Sequence, residues 1–226
     1  MIEITEFTKL IKTRRSIHSW QNKPVTEEQL LQAIELATWA PNGSNRQSWR
    51  FHVIMNQAVI DSVADTIQSV MTRIRSWGQS AASPNDGTPE GRTIISGLPS
   101  ETLRSAPALI VVASQKYENP RITDIKKQIK TDAEAHEAQA IIDGLKIVNP
   151  RVQSVAAAIA YLSLTLHQMG LGSLWATGPL QAKDAIEKVL NIPQDQDIMA
   201  LVPVGYPAVN PVKNRKPVSE VCEIIR

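Results

Sequence analysis

Apolar positions along this chain recur in two ways, at helical spacing in long polar-flanked stretches and as short unbroken runs, and the two predict helices and strands respectively. Phe7, Leu10 and Ile11 share one face of a helix that Thr5 can cap and that ends near Thr13. Thr26 and Gln29 have capping-box spacing ahead of a second helix through Trp39, with Leu30, Ile34 and Ala37 as its apolar stripe and Pro41 as its stop. Val59, Val63, Ile67, Val70 and Ile74 predict a helix over Ala58–Trp77, and a polar helix follows over Ile122–Leu145, with Lys126, Lys127 and Lys130 on a solvated face. Val152–Met169 is the most hydrophobic helix, closed by Gly170-Leu171-Gly172, and Lys183–Leu190 is a short one.

Strands are expected at Phe51–Met55, Ala108–Ala113, Ser173–Ala176 and Ile198–Val204. The continuous run Ala108–Ala113 suits a central strand covered on both faces. Helices and strands alternate without a regular β-α-β repeat, so the expected class is α+β around a central sheet, in a single domain over residues 1–226. Gly78–Gly91 is rich in glycine, proline and serine and reads as a mobile excursion, either a lid or a plain surface loop. Residues 210–226 form a C-terminal extension with little reason to pack by itself.

With 226 residues, 42% of them apolar, the chain can bury one sizeable core. Its 24 basic and 22 acidic residues are interspersed, which removes the large basic field of a nucleic-acid binder. Cys222 is the sole cysteine, so no internal disulfide is possible and a reducing, cytoplasmic setting is the simplest expectation. The N-terminus has neither the basic nor the apolar region of an export signal, and Val155–Leu166 falls short of the ~20 residues of a spanning helix, so no membrane partner is expected.

Most common chemistries lack their motif. Gly170-Leu171-Gly172 follows a helix and has Trp175 where a dinucleotide fingerprint needs glycine; no phosphate-loop lysine and no Gly-x-Ser-x-Gly elbow occur. His18, His52, His136 and His167 are scattered without metal-ligand spacing, and His52 and His167 read as structural. What remains is an anion-binding character split between Arg14 and Arg15 near the start and Lys213, Arg215 and Lys216 near the end, guanidinium pairs being suited to bidentate capture of a phosphate. The stretch Ala40–Trp49, dense in amides and hydroxyls between a helix and a strand, suits a ligand with many hydrogen-bonding edges.

Four blocks then resemble the FMN-dependent nitroreductase superfamily. Arg14-Arg15-Ser16-Ile17-His18 looks like its N-terminal phosphate motif, and Ala40–Trp49 looks like its Ala-Pro-Ser-x-x-Asn-x-Gln-Pro-Trp block. Gly170–Pro179 is similar to its Gly-Leu-Gly strand and flavin-edge turn, and Gly205-Tyr206-Pro207 with Arg215-Lys216-Pro217 to its closing signature. The resemblance implies a nitroreductase-like fold, a mixed or antiparallel sheet flanked by helices in an intertwined homodimer, with two FMN sites at the subunit interface. It implies that Arg14, Ser16 and Arg215 hold the phosphate, with Arg15 assisting near the ribityl chain and Lys213 also among the cofactor-binding residues. Pro41, Asn42, Asn45 and Gln47 would line the flavin from the partner, and the backbone of Ala176, Thr177 and Gly178 would meet the N5 edge.

The activity so implied is ping-pong hydride transfer from NAD(P)H through flavin N5 to a nitroaromatic, quinone or similar small acceptor, with no catalytic acid-base pair. A same-fold alternative is reductive dehalogenation or flavin fragmentation, and a different class is an FMN carrier or redox-responsive module without turnover. Asn42 and Ser48 depart from the family's serine and proline, and His18 stands where lysine or arginine is usual. An imidazole near flavin N1 and O2 would tune the flavin in a pH-dependent way, its reference pKa being ~6.5.

Overall fold

The strand Ala108–Gln115 is buried at every position but its last, and the molecule is layered around it. A computed structural model describes residues 3–79, 99–117 and 119–226. In chain order the elements are α1 (Ile4–Thr13), α2 (Glu27–Ala37), β1 (Trp49–Ile54), α3 (Gln57–Gln79), α4 (Pro99–Arg104), β2 (Ala108–Gln115), α5 (Pro120–Gln128), α6 (Asp132–Val148), α7 (Pro150–Gln168), β3 (Gly172–Ser173), α8 (Lys183–Val189) and β4 (Gln196–Gly205). The sheet order is β1-β2-β4-β3, and each of these pairings is antiparallel.

The two-residue period of β2 explains its unbroken apolar run. Ala108, Ile110 and Val112 point to a core shared with Leu30, Ala33 and Ala37 of α2 and Val155, Ile159, Leu162 and Leu166 of α7. Leu109 and Val111 point the other way, to Ile60, Val63 and Ile67 of α3, Leu103 of α4 and Ile186 of α8. Helices therefore cover both faces, an α+β arrangement in which the central strand needs no polar side.

Local signals account for most boundaries. Thr26 Oγ1 accepts from Gln29 N while Gln29 Oε1 accepts from Thr26 N, the capping box expected for α2. Expectation and structure part in several places. Helix α1 begins at Ile4 with Glu3 as its cap, and Thr5 caps nothing. The single helix expected over 122–145 is two, because Thr131 and Glu134 form a second capping box that starts α6 afresh. Asn149, left-handed at φ 36°, ends α6, and its side chain accepts from Val152 N to begin α7. The strand expected at Ser173–Ala176 is interrupted: Leu174 N donates to Pro203 O, but Pro203 has no N–H to return, so pairing resumes only at Ala176, which exchanges both bonds with Leu201. The excursion expected at 78–91 lies outside the described residues beyond Gln79, through which α3 continues.

Among the described residues no helix is long and apolar enough to cross a membrane.

Candidate active site

Helix α1 ends at Arg14, whose ψ of 132° turns the chain into an extended segment. That segment is zipped to two others. Ser16 bridges Ser173, Ile17 N donates to Ser173 O, Gln21 N donates to Tyr206 O, and Ala208 N donates to Ser19 O. Gly172 permits the approach, since a Cβ there would stand 2.6 Å from Ile17 Cγ1 and 2.9 Å from Pro207 Cγ. Three of the four sequence blocks, at 14–18, 170–179 and 205–207, thus meet in one corner.

The corner is cationic. Burial, then the charges of Arg215 and Arg15, hold the Arg14 guanidinium below its ordinary pKa, which places the three arginines in one another's field. The ion pairs among the described residues include none of the three. Arg15 donates through Nη1 to the carbonyls of Lys12 and Arg14, while its buried Nε has no partner. A buried donor left unpaired among like charges is what an anion would satisfy, so these residues fit a phosphate. Ser16 and His18, next to them in the chain, are exposed, and Lys213 on the tail is exposed too.

His167, at the last turn of α7, belongs to the same corner. Its Nε2 lies 2.8 Å from Thr13 Oγ1, and burial, then Arg14 and Arg15, push the imidazole below its usual pKa. The sequence placed His167 in a structural role, and nothing local connects positions 13 and 167. His52, by contrast, is the satisfied structural histidine expected, bonded to Gln196.

At the turn expected to meet the flavin edge, the backbone of Ala176 is committed to Leu201 in both directions, so it offers nothing to a ligand. Thr177 and Gly178 are exposed, and a Cβ on Gly178 would meet nothing within 4 Å. These two are the expected backbone donors that stay available. Trp175 is 40% exposed beside this turn. Cys222 is free and exposed.

The fourth block behaves differently. Ser44, Asn45 and Gln47 all have φ near +50°, a costly run for residues with side chains, and the loop holds itself in that shape. Asn42 Oδ1 accepts Gln47 N at 2.9 Å, Asn42 Nδ2 donates to Ala40 O, and Gln47 Nε2 donates to Asn45 Oδ1. Both ends of the Asn42 amide are therefore engaged within the loop, while Asn45 Nδ2 and Gln47 Oε1 stay free to face a ligand, and Pro41 is exposed beside them. Gly43 N donates to Ser154 Oγ, which pins the loop to the start of α7. Ser154 and His167 are separated by roughly 20 Å along α7 at its ~1.5 Å rise per residue, so the amide loop and the cationic corner stand at opposite ends of one helix.

Beside the loop, a cleft of about 640 Å³ runs between α5, the end of α6 and the start of α7, lined in part by Lys116, Tyr117, Lys126, Lys146 and Arg151. Arg46 stacks on the Tyr117 ring at 4.3 Å and joins the loop to this cleft. Lys126, expected on a plain solvated face, is on the cleft wall.

Known proteins resemble this chain over most of its length. A BluB-like flavoprotein of Clostridium difficile superposes with a TM-score of 0.81 at 28% identity, over 97% of this chain and 99% of that one. An iodotyrosine deiodinase of Nematostella vectensis is 24% identical over 96% of this chain and 74% of its own length. A putative NADH dehydrogenase/NAD(P)H nitroreductase of Methanothermobacter thermautotrophicus is 24% identical over 89% and 77%. The model of the Nitroreductase family matches residues 11–206, and the chain belongs to that family.

Proposed function

We propose that this chain is an FMN-dependent oxidoreductase that takes electrons from NAD(P)H and passes them to a small acceptor, acting as a homodimer with each flavin site built from both subunits. The observation that carries the reading is the unpaired cationic corner of Arg14, Arg15 and Arg215, pinned through Ser16 and Ser173 to the exposed turn at Thr177 and Gly178. A flavoprotein relative together with a phosphate-grade cluster points to the phosphorylated flavin.

FMN when bound would supply the two-electron redox chemistry. The protein supplies position and field. Arg14, Arg15 and Arg215 would neutralise the phosphate, Ser16 would offer a hydroxyl, and the N–H groups of Thr177 and Gly178 would serve the ring edge. Asn45 and Gln47 of a second subunit would line the ring. The ~20 Å separation along α7 supports that division, because one chain's own loop lies at the far end of the helix from its own cationic corner.

The test is an anaerobic titration of FMN-loaded protein with NADH and NADPH, followed by the flavin absorbance. Bleaching by either donor identifies the reductase and its donor; flavin that stays oxidised with both favours the carrier. Similarity to an iodotyrosine deiodinase supports a second reading, reductive dehalogenation of an aromatic. Its check is halide release from a halogenated phenol by the chemically reduced protein.

A further inference from the structure

We propose that His167 is the proton-accepting member of the phosphate subsite, taking a proton at Nδ1 when the FMN phosphate binds to Arg14, Arg15 and Arg215. The inference rests on the FMN reading above and names a residue that reading does not use.

The hydrogen-bond directions fix the chemistry. Thr13 Oγ1 has one proton and donates it to Lys9 O at 2.7 Å, so toward His167 it can only accept. Nε2 of His167 is therefore the N–H nitrogen, and Nδ1 is the site left for a proton. Protonation at Nδ1 keeps the Thr13 contact intact, and with it the tie between the ends of α1 and α7 that carries Arg14 and Arg15 into place. A groove of about 610 Å³ lined by Glu6, Phe7, Lys9, Leu10, Thr13, His167 and Gln168 gives the ring access to solvent.

The charges around the ring set the sign. From α1 the groups facing it are Glu6 and Lys9 across the groove and Arg14 and Arg15 beyond Thr13; Arg215 of the tail reaches the same corner through Arg14, and on α7 the neighbour Gln168 is neutral. Without an anion the arginines oppose a charge on His167, alongside the effect of burial. A phosphate dianion cancels that opposition, so proton and phosphate bind cooperatively. A group whose pKa rises on binding strengthens that binding below its free pKa and contributes nothing once pH exceeds its bound pKa. His167 accordingly favours FMN in mildly acid solution and is indifferent in mildly alkaline solution.

The experiment compares wild type with His167→Gln, whose amide can still donate to Thr13, by flavin fluorescence titration from pH 5.5 to 8 and by calorimetry in two buffers of different ionisation enthalpy. FMN, riboflavin and inorganic phosphate are the three probes. The expected ratio of the variant's FMN Kd to that of wild type rises from about one at pH 8 to about fivefold at pH 5.5, a factor of ten being one unit of pKa difference. Wild type takes up more protons than the variant with FMN and with inorganic phosphate, and the two are equal with riboflavin. The subtraction removes the phosphate's own titration. Equal proton uptake in the two proteins, with FMN still bound more tightly than riboflavin, overturns the role of His167 alone. FMN and riboflavin bound equally by wild type overturns the phosphate subsite as well. Far-ultraviolet dichroism of the variant reports that α1 and α7 are retained.

Discussion

Gly43 and Ser154 are joined by a hydrogen bond, the glycine N–H donating to the serine Oγ at 3.2 Å, and through it the self-bonded amide loop is fixed to α7. Three consecutive-region residues at positive φ are held there against their preference, at a cost of about 1–3 kcal/mol each. Ser154→Ala removes the anchor and the serine's bond to Pro150 O. A lost hydrogen bond of about 1 kcal/mol corresponds to roughly fivefold weaker binding if the loop must be re-ordered around the flavin. Fluorescence titration with FMN is the check; unchanged affinity with reduced stability to urea would mean that the loop does not meet the ligand.

What was legible in the sequence was local. The Thr26–Gln29 capping box, the two-sided run of β2 and the helical stripe of α7 are written within a few residues, and each formed as expected. The break between α5 and α6 was written there too, in Thr131 and Glu134, but a long helical period obscured it. The relations that build the site are not local. His167 meets Thr13 across 154 positions, and nothing in either neighbourhood announces the other. Asn42 was legible as an amide in a polar loop, yet whether it faces a ligand or its own backbone depends on φ values that its residue type does not dictate.

Gly172→Ala tests the close approach that joins the segment at Ser16 and Ile17 to the strand leading into the turn at Thr177 and Gly178. The new Cβ would press on Ile17, which is almost fully buried, and on Pro207, neither of which is the free end of a flexible side chain. Overpacking of this kind costs about 1–3 kcal/mol. Because Ile17 N is bonded to Ser173 O, relief by moving Ile17 also shifts Ser16. The expected result is lower urea stability together with weaker FMN binding and little change for riboflavin. A stability loss with the preference for FMN over riboflavin unaltered would show that Ser16 does not depend on this contact.

Asp197 gathers three cations from distant parts of the chain: Arg151 at 2.8 Å, Lys183 at 2.9 Å and Lys116 at 3.6 Å. Burial alone would raise its pKa, but the hydrogen bonds and charges of Lys183 and Arg151 outweigh burial and hold the carboxyl below its usual range. A carboxyl depressed in the folded state stabilises above its unfolded pKa of ~3.9, and that contribution disappears as pH falls through the folded value. Asp197→Asn should therefore cost about 1–3 kcal/mol at pH 7, less than the ~3–5 of a fully buried pair because the group is partly exposed. Urea denaturation of both proteins checks it. The difference between them should shrink below pH ~4; a gap that stays constant into acid would assign the effect to packing.

Helix α1 buries none of its side chains, and Ile4, Phe7 and Ile11 are 71%, 46% and 48% exposed. The tail repeats the pattern, with Val212, Val218, Val221, Ile224 and Ile225 all more than half exposed. A single chain leaves these surfaces in water, whereas a second copy would cover them and would also bring the amide loop to the cationic corner. Light scattering should give about twice the 24.9 kDa of one chain. Deleting residues 218–226 keeps Arg215 and removes four of the exposed apolar side chains, so it separates the tail's charge from its grip on a partner. If each site is built from both subunits as proposed, the expected outcome is dissociation at micromolar concentration with FMN affinity falling in step. A truncated protein that stays dimeric and binds FMN as before would place the subunit contact elsewhere, on α1 and α7, and leave the tail's role to Arg215 alone.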